Sequence, residues 1–136
     1  MTDIVILSGA RTAIGTFGGK LAGTPPITLG ATAAKAALER AGVEGGQIGH
    51  VAFGHVINTE PKDMYLSRVA AMDAGIPDTA PAMNVNRLCG SGAQAIVSIV
   101  QSLQLGDADL RMAHVENQPR DIVVFGGPSD ALGELS

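Results

Sequence analysis

The sequence predicts an α/β fold: a layered βαβαβα arrangement on a mostly parallel sheet. Short runs rich in Val and Ile alternate with longer, alanine-rich runs of helical period. Those helical runs are long enough to serve as right-handed crossovers between parallel strands. The apolar fraction is 46% while the aromatic fraction is only 3%, with no tryptophan. The core must therefore be built from Ala, Val, Ile, Leu and Met, which suits stacked layers. At 136 residues the chain has the length of one domain, enough for a real core.

Ile4–Leu7 is a continuous apolar run stopped by Ser8-Gly9, the pattern of a buried parallel strand. The glycine-rich passage Gly15–Gly23 fits neither the Walker spacing nor G-x-G-x-x-G, so it reads as an irregular loop with Lys20 in solvent. Pro25-Pro26 introduces a helix over Ile27–Ala41, with Thr28 as its N-cap and Gly42 just past its end. Ile48–Ile57 returns to a strand pattern, broken by Asn58-Thr59-Glu60-Pro61. Pro61 suits a first helical turn, and Asp63–Ala74 is helical with Gly75 as its stop. After the loop Ile76–Pro81 comes a short strand, Ala82–Val85.

The segment Asn86-Arg87-Leu88-Cys89-Gly90-Ser91-Gly92 follows that strand and opens a helix over Ala93–Leu105. This helix is apolar on most faces. One stripe is Ala93, Ile96, Val97, Val100 and Leu103, and Ala95 and Ile99 add a second side. Such a helix is expected to be buried inside the molecule or under a partner. Leu110–Ala113 and Ile122–Phe125 are candidates for further strands, and Ser129–Ser136 reads as loose.

Composition excludes several classes of function. The net charge is −4, with nine scattered basic residues, which argues against nucleic acid as the main partner. A single cysteine cannot form an internal disulfide, so a reducing, cytoplasmic location is expected. No stretch reads as a signal peptide, and no apolar run is long enough to span a membrane. Three histidines and one cysteine without close ligand spacing give no zinc signal.

Cys89 is the residue that suggests chemistry. A thiol at a strand-to-helix junction faces the unpaired N–H groups and the positive end of a helix dipole. That field stabilises an anion by about 0.3–1 kcal/mol when exposed and up to ~2 when partly buried. Since ~1.36 kcal/mol corresponds to one pKa unit, the dipole assists a thiol but does not ionise it at neutral pH, and a base must take the proton. Gly90 and Gly92 let a substrate approach the backbone, and the N–H of Cys89 itself could help hold an oxyanion. These features favour acyl transfer through a thioester over disulfide exchange, for which a C-x-x-C pair is lacking. Spacing alone leaves a second reading open, a small buried apolar cysteine. His50, His55 and His114 are the internal candidates for the base. His55 is the best placed, near the C-terminal end of the second strand, although a histidine in a strand is more often structural.

The segment Asn86–Gly92, followed by Gln94-Ala95-Ile96-Val97, closely resembles the active-site segment of thiolases. So do Arg11–Gly19 and Gly54-His55-Val56-Ile57. The run Glu60–Leu66 is most similar to the bacterial β-ketothiolase and acetyl-CoA acetyltransferase branch. The resemblance covers Ile4 to Asp109, so residues 1–109 are assigned to an incomplete thiolase N-terminal domain and 110–136 to a divergent tail with a possible fourth strand. It implies that Cys89 is acylated by an acyl-CoA. A second acetyl-CoA then attacks the thioester to give a 3-ketoacyl-CoA, and the reverse direction is CoA-dependent cleavage. The family fold is two similar α/β halves stacked in layers, with the cysteine helix buried between them. Coenzyme A is the acyl carrier, no metal or prosthetic group is implied, and the expected assembly is a homodimer or homotetramer.

The family's histidine bases in Asn-Glu-Ala-Phe and Gly-His-Pro segments, and its second cysteine in Cys-Gly-Gly-Gly, do not occur in these residues. The expected Ala-Gly-Gly-x-Glu-Ser/Asn-Met-Ser segment is replaced by Ala113–Arg120, where Glu116-Asn117 is the only remnant. The expectation is a thiolase-type acyltransferase fragment that carries the acyl-accepting cysteine and is inactive alone. Two alternatives stand beside it. One is a non-catalytic remnant that associates with a partner chain through exposed apolar surface. The other is a ketoacyl synthase-like condensing enzyme, against which the Leu-Cys-Gly-Ser-Gly context argues.

Overall fold

The computed structural model describes residues 4–107, 109–114 and 121–126. Five strands, β1 (Val5–Arg11), β2 (Ile48–Gly54), β3 (Ala82–Val85), β4 (Leu110–His114) and β5 (Asp121–Gly126), form one sheet in the order β1-β5-β4-β2-β3. The helices are α1 (Pro26–Ala41), α2 (Leu66–Asp73) and α3 (Ser91–Gln104), with short 3-10 turns at Gly45–Gln47 and Pro61–Tyr65.

The layered α/β architecture is the one expected. Its parallel part is β3-β2-β4, with Val51 opposite Ala82 on one side and Met112 on the other. Strand β2 is covered on both faces. Val51 and Phe53 pack with α1, α2 and Met112, whereas Ala52, which points the other way, packs with Ala113, Ala95, Ile99 and Leu103. Two covered faces explain the nearly unbroken apolar run of β2. The small side chains Ala52 and Ala113 leave α3 room to lie close to the sheet.

Strand β1 differs from its expected role as a buried parallel strand. It pairs only with β5, antiparallel, at the sheet edge, and Ile6 is 67% exposed. The antiparallel ladders β1-β5 and β5-β4 make the sheet mixed. A β-branched run satisfies strand geometry in either direction, so its composition does not report the direction of its neighbour.

Helix α1 begins one residue earlier than expected, and Thr28 is not its N-cap. Pro25 holds that position in extended backbone and Pro26 is the first helical residue, because the fixed φ of proline suits the first turn. The Thr28 carbonyl instead accepts a hydrogen bond from the Thr32 hydroxyl inside the helix at 2.8 Å. At the other end Gly42 takes the left-handed conformation (φ 66°), and its N–H closes on Glu39 O at 3.2 Å.

The single helix expected over Asp63–Ala74 is divided into the 3-10 turn and α2. The side chain of Asn84, on β3, reaches into the junction. Its Oδ1 accepts the Ser67 N–H at 2.9 Å, and its Nδ2 donates to Met64 O at 3.0 Å and to Asp63 O at 3.3 Å. These bonds hold the two helical pieces where they meet, and the Asp63 carbonyl also accepts the Leu66 N–H that closes the 3-10 turn.

Helix α3 buries the second predicted side, Ala95 and Ile99, together with Leu103 of the main stripe. Of the rest of that stripe, Ile96 and Val100 are half-buried, Ala93 is exposed and Val97 is 45% exposed. The predicted strands near 110 and 122 are present in the same sheet as the earlier ones. Residues 129–136, expected to be loose, lie outside the described residues.

Candidate functional site

The parallel strands β2, β3 and β4 put their C-terminal ends at one edge of the sheet, where ligands of α/β sheets bind. Cys89 lies four residues beyond the end of β3, just before Gly90, the N-cap of α3. Its thiol is free and exposed, so the reading as a buried apolar cysteine is not what the structure shows.

A tight turn delivers it there. Gly90 N–H donates to Arg87 O at 3.0 Å and Ser91 N–H to Leu88 O at 3.0 Å. Asn86 Oδ1 accepts the Leu88 N–H at 3.1 Å. Leu88 has φ 48°, which places a branched residue in the left-handed region at a cost of about 1–2 kcal/mol. Ser91, fully buried, spans the turn with one hydroxyl: Oγ accepts the Arg87 N–H at 2.8 Å and donates to Leu88 O at 2.6 Å. Outside, the Arg87 guanidinium donates to Gln94 Oε1 at 2.8 Å, which ties the turn to the first turn of α3. Below, Gly54 at the end of β2 lies directly against Ser91 and Gly92.

Among the described residues, neither His50 nor His55 is hydrogen-bonded to the thiol. His55 lies just past the end of β2, its N–H bonded to Val85 O at 2.9 Å and its ring Nε2 paired with Asn58 Oδ1 at 2.7 Å. Its charge acts on Asp63. Asp63 is fully buried, and its Oδ2 accepts the Thr59 N–H and hydroxyl, each at 2.7 Å, and the Glu60 N–H at 3.1 Å. Burial pushes the Asp63 carboxyl up, but the Thr59 and Glu60 hydrogen bonds and the charge of His55 outweigh it and hold the group below the usual carboxylate range. His50 sits half-buried in β2, and burial together with the Arg111 charge lowers it against the opposing pull of Asp107. The side chain of His114 lies outside the described residues.

The glycine-rich passage borders a cavity of about 490 Å³ with Thr24, Pro25, Leu29, Thr59 and Glu60, and Cys89 does not line it. Lys20 is exposed, as expected. Among the described residues no group of three or more His, Cys, Asp or Glu side chains is placed to hold a metal, and no helix is long and apolar enough to cross a membrane. Sequence reasoning included Ser91 in the motif without giving it a task. The signal was a hydroxyl side chain at the first position of a helix, where side chains serve unpaired backbone groups.

Comparison with known proteins places this geometry. The family model described as "Thiolase, N-terminal domain" matches residues 4–117. The chain is 58% identical over 108 residues to beta-ketothiolase BktB of Cupriavidus necator, covering 79% of this chain and 27% of that protein. It is 47% identical over 113 residues to an acetyl-CoA acetyltransferase of the same organism, covering 83% and 28%. Among solved structures it is similar to human mitochondrial 3-ketoacyl-CoA thiolase in complex with CoA, with a TM-score of 0.78 at 34% identity, over 81% of this chain and 28% of that one. The acetyl-CoA acetyltransferase of Bacillus anthracis gives the same TM-score at 37% identity, over 83% of this chain and 28% of that one. The chain thus spans little more than a quarter of the length of these relatives. The α/β layers, the match over residues 4–117 and these likenesses together identify the chain as a member of the thiolase family, corresponding to part of its N-terminal domain.

Proposed function

We propose that this chain carries the acyl-accepting half-reaction of a thiolase, of the acetyl-CoA C-acetyltransferase or 3-ketoacyl-CoA thiolase type, with Cys89 as nucleophile. The observation that carries the reading is the free, exposed Cys89 thiol at the start of α3, beyond the tip of β3. In the first step the Cys89 sulfur, having given up its proton, attacks the carbonyl carbon of an acyl-CoA. The acyl C–S bond to CoA breaks, CoA departs as a thiolate that takes up a proton, and an acyl-cysteine remains. Coenzyme A is the carrier, with no metal or prosthetic group required.

The proton of the thiol needs an acceptor. His55, the internal candidate, has its ring Nε2 engaged by Asn58. The chain alone is therefore expected to turn over little or not at all, and a complete enzyme would draw its bases from sequence beyond these residues. That enzyme would be a homodimer or homotetramer in a reducing compartment such as the cytoplasm.

Incubation of the folded chain with excess acetyl-CoA, followed by intact-mass and peptide analysis, tests the first step. One acetyl group on Cys89 supports it. A thiol that reacts with iodoacetamide but never accepts acetyl from acetyl-CoA sinks it. Rapid thiolysis of acetoacetyl-CoA by the chain alone would show that an internal base suffices.

A second reading, association of a non-catalytic chain with a partner, draws on the outer side of α3. Val97 on that helix is 45% exposed, and Leu105, just past its C-terminal end, is 79% exposed. Apolar side chains left in water on a helix favour self-association. Sedimentation as a well-behaved monomer counts against that reading.

A further inference from the structure

We propose that Ser91 is the positioning residue of the Cys89 turn, holding the sulfur in the field of the α3 N-terminus. The inference rests on the reading of Cys89 as the nucleophile, and concerns a residue that touches neither thiol nor substrate. Three observations meet at Ser91. Its side chain is fully buried although it directly follows the exposed segment 86–89 and the half-buried Gly90. Its single hydroxyl is used in both directions, accepting from Arg87 N–H at 2.8 Å and donating to Leu88 O at 2.6 Å. The two residues it grips immediately precede Cys89, and one of them, Leu88, is in the left-handed region at φ 48°.

A branched residue returns from that region unless its surroundings hold it. Two backbone bonds close the turn as well, Ser91 N–H to Leu88 O and Gly90 N–H to Arg87 O, each at 3.0 Å. The remaining side-chain ties lie on the surface. Asn86 reaches the Leu88 N–H from an exposed side chain, and the Arg87–Gln94 bond is also on the surface. The Ser91 hydroxyl belongs to a fully buried residue, so its two bonds are better shielded from water than these side-chain ties. Loss of the hydroxyl leaves the Arg87 N–H without that acceptor and frees Leu88 to relax toward negative φ. Cys89, the next residue, then swings away from the first turn of α3. Alanine is a good helix residue, so the helix itself survives the change.

The test compares two alkylating reagents of opposite electrostatic character. Iodoacetate is an anion and iodoacetamide is neutral, and both react with the thiolate. The ratio of their rates therefore cancels the amount of thiolate and reports the local potential at the sulfur, a quantity that a purely structural contribution to stability does not move. Ser91→Ala is expected to lower the iodoacetate-to-iodoacetamide ratio at Cys89 by about two- to threefold, the scale of a helix-terminus field. Ser91→Thr, which keeps the hydroxyl, holds the ratio at the original value. Adding Leu88→Gly to Ser91→Ala, which makes the left-handed conformation free of side-chain cost, restores it.

An unchanged ratio in Ser91→Ala, or a double variant that fails to recover, overturns the proposal. A second measurement on the unsubstituted chain stands independently of whether Ser91→Ala folds. Hydrogen exchange by NMR should find the Arg87 amide protected, and exchange as fast as in an open loop overturns the proposal equally. Acetylation of Cys89 by acetyl-CoA is read separately on the same proteins. Failure of the nucleophile reading and failure of the positioning role thus give different results.

Discussion

A Cβ atom added at Gly54 would lie 2.6 Å from the backbone nitrogen of Gly92. The end of β2 and the start of α3 therefore meet backbone to backbone, and this contact sets how far the helix that follows Cys89 stands from the sheet. The neighbours of that added atom are all backbone, the Ser91 carbonyl carbon at 2.7 Å and Gly92 Cα at 2.9 Å included, so none can rotate aside. Gly54→Ala is expected to destabilise the fold by about 1–3 kcal/mol and to displace the Cys89 turn. Urea denaturation reads the first effect, and the alkylation rate of Cys89 in the folded variant reads the second.

Gly45 and Gly46 are adjacent but should respond oppositely to alanine. A Cβ at Gly45 would overlap Gly75 O, where the turn before β2 packs on the end of α2, whereas at Gly46 it meets open space. Gly45→Ala should lose about 1–3 kcal/mol, while Gly46→Ala should stay within about 0.5 kcal/mol of the original. Thermal melting of the pair is a direct comparison, and equal losses would show that the turn yields more easily than its geometry implies.

Acid stability should depend on Asp63. Its carboxyl is lowered in the folded chain despite burial, so across the carboxylate range the folded state binds fewer protons than the unfolded one. The contribution is then complete above the ordinary aspartate value of about 3.9 and is lost as pH falls through the lower folded-state value. Asp63→Asn should lose about 1–3 kcal/mol at neutral pH, because a buried amide N–H₂ would stand where Oδ1 has no partner. The variant's stability curve should also be flatter on the acid side. Urea midpoints measured at several pH values check both. Parallel curves would exclude Asp63 as the titrating group.

Cys89 itself should contribute almost nothing to stability. The thiol is exposed, and Cys89→Ala is expected to melt within about 0.5 kcal/mol of the original while losing all acetylation and alkylation at that position. A large loss of stability would mean that the side chain is packed in solution.

The elements that could be read from the sequence are those whose apolar pattern and local punctuation agree. β3 was bounded correctly at Ala82–Val85 because proline precedes it and a polar segment follows. The C-terminus of α1 was found from Gly42, whose left-handed conformation few other residues adopt without cost. The place of β1 is not legible locally, because the direction of its pairing is decided by β5, more than a hundred residues later. The split between Tyr65 and Leu66 was hidden for the same reason, since it depends on Asn84 arriving from another strand. On α3 the apolar positions are too many for periodicity to say which side meets the sheet. At the site, the motif pointed to Cys89 and the structure leaves it exposed. The left-handed Leu88 and the double use of the Ser91 hydroxyl are local features of a five-residue turn, without a composition signal of their own.

The position of β5 bears on how this sheet comes to exist at all. Last in the order of the described elements, it is inserted between β4 and β1, so β1, though packed on α1, waits for β5 before it has a strand partner. A nascent chain emerging from the ribosome can assemble β2, β3 and β4 with their helices while β1 and one side of β4 remain open to intruders. Pairing of β1 with β5 is a long-range closure between segments more than a hundred residues apart, the kind of step that slows folding and exposes unfinished edges to other chains.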